Sequence, residues 1–306
     1  MTQRTSWPLC VLRSGVPWYW YSPQCGGVRA GYYRSSDDRA TGMPVVSETD
    51  ETDNEMTMQP YYEHNGITIY HGDCLEVMPT LPDHSLDAVI CDPPYGTTAS
   101  EWDSPIPLDA MWRELKRLIK PRGAIVLFGQ EPFSSLLRTS NPSWYKYDWI
   151  WDKHMPTGYL NAKHQPLRQH ELISVFCSGV ATYNPLLRKG ALRTKGGMRR
   201  TSSVWGQHHS TTRISDEYYP TTIISMNNGN RLDGLHPNQK PLALMEYLIT
   251  THTNPGDTIL DFTAGSGTTL RAAKNLGRCA IGIEIGVEYV EVAVRRLSQE
   301  VMELAV

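Results

Sequence analysis

The stretch TILDFTAGSGTTLRAAKNLGRCAIGIEI, residues 258–285, decides the fold. Residues 258–262 are a short apolar run bounded by turn residues, the pattern of a buried strand. Gly265, Ser266 and Gly267 then open a helical segment, and residues 279–285 read as a second buried strand. Glycine at such a turn lets the chain bend tightly and lets a ligand approach the backbone, while free N–H groups at a helix start favour a carboxylate or phosphate. Glu284 lies 17 residues beyond Gly267, at a strand end where a carboxylate can accept bonds from ribose hydroxyls. Nucleoside-type cofactor binding accounts for both features. A packed strand–helix turn with a surface acid accounts for them too. No lysine follows the second glycine, since the sequence reads GSGTT, so this is not a phosphate-binding P-loop.

The same texture extends outward. ITIY (67–70) is a short strand ending in HGD, and residues 74–81 make a helical turn or two. LDAVIC (86–91) is nearly all apolar, as a parallel strand covered on both faces must be. A helix fits 108–119, closed by Pro121 and Gly123, with strand AIVLFG (124–129) after it. Residues 147–153 and 171–176 read as further strands. A helix over 241–252 precedes the glycine unit, and a final helix over 287–303 carries Val287, Val290, Val294, Leu297 and Val301 at three- and four-residue spacing. Alternating strands and helices of these lengths predict an α/β fold, a doubly wound Rossmann-like sheet.

The chain has 306 residues and a formal net charge of -3, so whole-chain charge does not announce a nucleic-acid partner. Its longest apolar stretches run about five to seven residues, against the roughly 20 a membrane-spanning helix needs. No apolar segment after Arg4 leads to a cleavage site, so no signal peptide is expected. Cysteines at 10, 25, 74, 91, 177 and 279 lack paired metal-ligand spacing, so reduced thiols, a cytoplasmic location and no metal site are expected. Residues 1–58 mix Gly, Ser, Pro and Tyr without a period and end in an acidic run, which reads as a poorly ordered tail. WYWY (18–21) is its one feature suited to docking. Met56 and Met58 precede the ordered pattern, and a start chosen too far upstream is an equally plain account of the segment.

Residues 178–235 are Gly-, Ser- and Thr-rich and read as a loop-rich insert between two halves, 59–177 and 236–306. From 172 to 215 there is no acid, yet Arg188, Lys189, Arg193, Lys195, Arg199, Arg200 and Arg213 are present. That is a local basic patch or a solvated loop.

Asp92-Pro93-Pro94-Tyr95 follows strand 86–91. Two prolines stiffen the segment and remove two N–H donors, leaving carbonyls outward. Asp92 and the Pro93 carbonyl could accept from an exocyclic amine, and Tyr95 could stack on the ring bearing it. A plain turn with a packing tyrosine is the competing reading.

Together these motifs resemble the S-adenosylmethionine-dependent amino-methyltransferases of DNA. DPPY resembles their catalytic motif, DFTAGSGTT their cofactor motif, HPNQKP (236–241) the segment just upstream of it, and HGDCL (71–75) the acidic strand end that receives the cofactor adenine. Catalytic motif first, recognition region next and glycines last is the circularly permuted order of the beta group. The resemblance covers roughly 60–177 and 217–300. It implies that Asp92, Pro93, Pro94 and Tyr95 hold a flipped-out base. It places Gly265 and Gly267 under the methionine part of the cofactor, with Thr268 and Thr269 near its carboxylate. Asp73 would meet the adenine amine and Glu284 the ribose, while Asn238 and Lys240 brace the methionine end; an NQKP run is equally a helix-capping turn. HELISVF (170–176) resembles the strand behind the base pocket, and a core strand explains its apolar positions as well. The family shows Asp-Pro-Phe before the glycines, whereas here Asp261-Phe262-Thr263 stands, which implies changed packing in that wall.

In the family DPPY goes with adenine N6 and SPPY with cytosine N4, so the resemblance implies a site-specific adenine methyltransferase of a restriction-modification type. A cytosine-N4 enzyme or a non-catalytic DNA-binding relative are the alternatives. Double-stranded DNA is the implied partner, bound by the basic insert. A homodimer, and a separate restriction endonuclease acting on the same site, are further partners the resemblance allows. Cys91 beside the acid reads as a buried strand residue, since direct transfer needs no thiol nucleophile.

Overall fold

Leu86, Val89 and Cys91 turn to one side of their strand and Ala88 and Ile90 to the other, and both sides are fully buried. A strand that is apolar on both faces needs a layer on each, and the rest of the architecture follows from that demand. The computed structural model describes residues 59–96, 103–195, 200–202, 206–208, 212–228 and 239–299. The expected tail, 1–58, lies outside the described residues.

In chain order the elements are β1 (Tyr62–His64), β2 (Ile67–His71), α1 (Cys74–Val77), β3 (Leu86–Cys91), α2 (Leu108–Leu118), β4 (Ile119–Gly129), α3 (Phe133–Ser140), β5 (Tyr145–Thr157) and β6 (Arg168–Phe176). The insert supplies β7 (Arg188–Lys195), β8 (Arg200–Ser202), β9 (Gly206–His208), β10 (Arg213–Tyr218) and β11 (Ile223–Ser225). The chain then returns with α4 (Leu242–His252), β12 (Thr258–Asp261), α5 (Thr268–Asn275), β13 (Cys279–Glu284) and α6 (Val287–Ser298).

Nine strands form one sheet in the order β1-β2-β13-β12-β3-β4-β6-β5-β11. Within it, β1 and β6 run against the others. The late strands β12 and β13 slot between the early strands β2 and β3, with Ile259 opposite Ala88 and Ala280 opposite Ile67. Helices α1, α2 and α3 cover one face through Met111, Leu115, Phe133 and Leu137. Helices α4, α5 and α6 cover the other through Leu248, Leu270 and Val290. This is the doubly wound sheet with permuted connectivity that the sequence predicts.

From β3 the chain moves to β4 on one side, and from β12 to β13 on the other. The neighbouring pair β12–β3 is therefore the point where the winding reverses, and the crevice outside its carboxyl ends is where open α/β sheets bind ligands. The DPPY and glycine segments leave these two strands side by side.

Among the described residues of 178–235 there are short paired strands as well as loop. β7 and β10 pair antiparallel, β8 and β9 pair separately, and β11 joins the main sheet beside β5 with Ile224 buried. Strand β4 begins directly after α2, and a register irregularity between Leu86 and Ala88 accommodates the stretch through Pro121 and Gly123.

Candidate active site

Asp92 leaves the end of β3 with 26% of its side-chain surface open. Its Oδ2 lies 2.7 Å from the Lys240 ammonium, and its Oδ1 accepts the Tyr95 hydroxyl. The turn that carries it is tied down from Asp103, whose buried carboxylate accepts the N–H groups of Tyr95 at 2.8 Å and Gly96 at 2.9 Å. One face of the Tyr95 ring is stacked on Phe133, with centroids 5.2 Å apart. Thr263 Oγ1 donates to the Asp92 carbonyl at 3.1 Å, binding the end of β12 to the end of β3.

Lys240 also reaches Glu171 Oε2 at 3.1 Å, and Glu171 Oε1 takes the Lys153 ammonium at 3.0 Å. Two carboxylates and two ammoniums thus alternate along the wall of one cavity. Burial pushes the Asp92 carboxyl up and Lys240 pulls it down, with the net position above the ordinary range. Burial also pushes Glu171 up, but its two ammonium neighbours outweigh this and hold it low. Burial opposes the charge on Lys240, and Asp92 and Glu171 more than offset it, so it stays an ammonium. Burial, then the negative field of Asp92, keeps the Tyr95 phenol protonated and therefore a donor. Cys91 is fully buried with its thiol pushed well up, so it is no nucleophile at neutral pH.

On the adjacent strand the glycine loop shows two different uses of glycine. Gly265 has φ +52° and nothing within 4 Å of where a Cβ would stand, so it opens onto free space. Gly267 has φ +73°, and a Cβ there would lie 2.8 Å from Ala293 Cβ, so its lack of a side chain serves the approach of α6. Glu284 accepts the N–H groups of Gly265 at 2.7 Å and Gly286 at 2.8 Å. Asp261 is buried and accepts Thr269 Oγ1 at 2.5 Å, so this pair braces the loop. Burial lifts the Asp261 carboxyl to about 6. Arg296 of α6 donates to Ser266 O at 2.7 Å and Thr268 Oγ1 at 3.1 Å from below. Phe262 packs into the core on the α2 side and Thr263 takes the position facing β3, which is how the Asp-Phe-Thr segment fills this wall.

One cavity of about 940 Å³ runs along this edge, and its lining follows the strand order. Asp73 follows β2, Glu284 ends β13, Gly265 and Ser266 follow β12, Asp92 follows β3, and Glu171 and Lys153 come from β6 and β5. The residues present fit S-adenosylmethionine: an open glycine at a helix start, and acids at two adjacent strand ends suited to a ribose and an adenine amine. Asp73 is exposed and also caps α1 through Leu75 N at 2.8 Å.

The structure gathers Asp92, Pro93, Pro94, Tyr95, Lys240, Asp73, Gly265, Thr268, Thr269, Asp261, Thr263 and Glu284 around the same cavity. Lys240, expected at the methionine end, has its ammonium engaged by the two carboxylates. Asn238 and Arg199 lie outside the described residues. Arg188, Lys189 and Arg193 stand exposed on β7, Lys195 and Arg200 lie in β7 and β8, and Arg213 of β10 pairs with Glu217 at 3.6 Å. Sequence reasoning missed Lys153, Glu171 and Asp103. Lys153 was findable, because period two along β5 puts it on the buried face of Trp149 and Trp151.

Residues 86–295 match the DNA methylase family of N6 and N4 methyltransferases. The type II methyltransferase M.HinfI of Haemophilus influenzae is 29% identical over 268 residues, covering 76% of this chain and 68% of that protein. The crystal structure of the M1.HpyAVI–SAM complex aligns at 28% identity with a TM-score of 0.52, over 76% of this chain and 100% of that one. The cytosine-N4-specific PvuII DNA methyltransferase shares the fold, with a TM-score of 0.57 at 18% identity over 80% of this chain and 90% of that one.

Proposed function

This chain belongs to the DNA methylase family as an S-adenosylmethionine-dependent, beta-group amino-methyltransferase, and we propose that its acceptor is the exocyclic N6 of an adenine in duplex DNA. The observation that carries the reading is the adjacency of the DPPY and glycine segments on neighbouring strand ends over one cavity. Adenine is favoured over cytosine by the aspartate at position 92, since DPPY resembles the adenine motif.

The cofactor, when bound, supplies an electrophilic methyl group on a sulfonium. The residues of the chain prepare the nitrogen. Asp92 accepts one N–H of the amine and the Pro93 carbonyl the other, which draws the nitrogen lone pair out of conjugation with the ring. The stiff Pro93-Pro94 pair fixes both acceptors, and Asp103 fixes the turn beneath them. On gaining a methyl group the nitrogen must shed a proton. A protonated exocyclic amine is strongly acidic, so Asp92 beside Lys240 is base enough to take it on a carboxylate oxygen.

The target lies inside a stack and must be extruded, at a cost of a few kcal/mol. We assign part of the DNA contact to the ribbon of β7 and β10, where Lys189 and Arg193 stand exposed; two-stranded ribbons are known groove readers. Incubating unmodified DNA with labelled S-adenosylmethionine and analysing the nucleosides tests the assignment. Label in N6-methyladenine is expected; label in N4-methylcytosine would replace adenine with cytosine.

A further inference from the structure

A second surface points at the same edge of the sheet. Strand β5 runs parallel to β3 and β4, so its end and the following turn project beyond the carboxyl ends where Asp92 sits. Lys153 and Thr157 at the root of this hairpin line the cavity that Asp92 lines. The hairpin is closed by the pairing of Thr157 with Arg168, and its connecting loop is built: Asn161 N–H bonds Gly158 O at 3.0 Å and His164 N–H bonds Asn161 O at 2.9 Å. Gly158 takes φ +86° to start the turn.

Every residue from His154 to His170 is exposed, and none of them is acidic. The exposed stretch carries Lys163 and Arg168 together with His154, His164 and His170. At its tip Tyr159 is 78% exposed and Leu160 80%, so an aromatic and a branched aliphatic side chain stand in water on an organised loop. Such a pair gains nothing from facing water, whereas an apolar tip on a cationic, acid-free arm suits a polyanion whose interior is stacked rings.

We propose that the β5–β6 hairpin is a DNA-contacting arm whose tip, Tyr159 and Leu160, wedges into the base stack beside the extruded target nucleotide. The proposal rests on the methyltransferase reading above and adds the element that holds the duplex open. Lys163 and Arg168 meet the flanking phosphates. The side chains at the tip offset part of the broken stacking by covering the bases on either side of the gap.

The test compares the wild-type protein with the double variant Tyr159→Ser/Leu160→Ser, whose changes are at exposed positions and leave the core intact. The methylated base is first located on plasmid DNA modified by the wild-type protein, and a short duplex carrying that site is then made with either a matched or a mismatched partner opposite the target. On the matched duplex the variant should lose about tenfold or more in methylation rate, and the loss should shrink severalfold on the mismatched duplex, where extrusion is easier. Its S-adenosylmethionine affinity by calorimetry should match the wild type. Equal rates on the matched duplex, or the same fractional loss on both duplexes, would overturn the wedge. Plasmid left unmethylated by the wild-type protein would instead overturn the methyltransferase reading beneath it.

Discussion

Lys240 holds its ammonium 2.7 Å from Asp92 Oδ2, so the acid expected to receive the target amine already carries a buried counter-ion. Asp92 also faces Tyr95, Glu171 and Asp261, and every one of these except the neutral tyrosine is a carboxylate. Without Lys240, burial and two acidic neighbours would favour the protonated acid. The protonated form can accept less well from an N–H and cannot take up a proton. Lys240→Met should therefore move the acid limb of the kcat profile to higher pH, with much of the activity recovered as pH rises. Rates measured from pH 6 to 9 decide this. A loss that is the same at every pH would show that Lys240 serves the cofactor or the fold, as its place in HPNQKP also suggests.

Asp92→Ala removes the acceptor while leaving the glycine loop on the neighbouring strand untouched. Groups that exchange protons in the transition state contribute about 10²–10⁴-fold, and a kcat loss of that size with near-normal cofactor affinity is expected. Single-turnover rates and calorimetry on the same preparation separate the two quantities.

The two glycines should respond differently. Gly265→Asn keeps a residue type that tolerates positive φ and puts bulk into the open space, so cofactor affinity should fall tenfold or more, roughly 1.4 kcal/mol, with little change in Tm. Gly267→Ala drives a Cβ to 2.8 Å from Ala293 and should lower Tm by straining the packing of α5 on α6. Calorimetry and thermal melts distinguish the roles; a Gly265→Asn protein that binds normally would remove the loop from the cofactor site.

How much of this was legible beforehand depends on the range of the interaction. Residues 86–91 were readable to the residue, because a short run that is apolar on both faces apart from Asp87, and bounded by turn residues, suits a strand covered by a layer on each side. Helix α3 was missed: FSSLLRTS is short and rich in Ser and Thr, weak helix formers, and it is the burial of Phe133 and Leu137 that makes it helical. The motif residues that line the cavity were named beforehand because resemblance marks them. Glu171 and Gly267 show the limit. Glu171 meets Lys153 across the β5–β6 hairpin but reaches Asp92 only through Lys240 from the far part of the chain, and Gly267 is required to be glycine by Ala293 on another helix. Neither partnership leaves a local pattern, since each exists only once the sheet has closed.

The ribbon of β7 and β10 should bind through charge. Lys189 and Arg193 stand exposed on β7, opposite Glu217 and Ser215 of β10. If both meet phosphates, neutralising them together should weaken binding to every sequence and reduce the slope of log K against log salt by about 2, one for each phosphate no longer neutralised. Titrations at several salt concentrations on random duplexes measure this, and an unchanged slope would leave the ribbon a solvated surface.

The last prediction concerns stability. His252 ends α4 with no exposed surface, its Nδ1 lies 3.2 Å from Thr182 O, and its Nε2 has no hydrogen-bond partner among the described residues. Burial holds its pKa down at about 4, so the fold accepts only the neutral ring. The unfolded chain titrates near the ordinary value of about 6.5. A group with a depressed folded pKa contributes stability that is fully present above the unfolded value and is lost as pH falls through the folded one. Between about pH 6.5 and pH 4 the protein should therefore lose on the order of 3 kcal/mol through this residue. His252→Gln cannot titrate, so its stability should fall less over the same interval even if it starts lower at pH 7. Urea unfolding midpoints of both proteins at pH 7 and pH 4.5 test the claim. Parallel losses would mean that another group, such as the Asp92–Lys240–Glu171 chain, sets the acid limit of the fold.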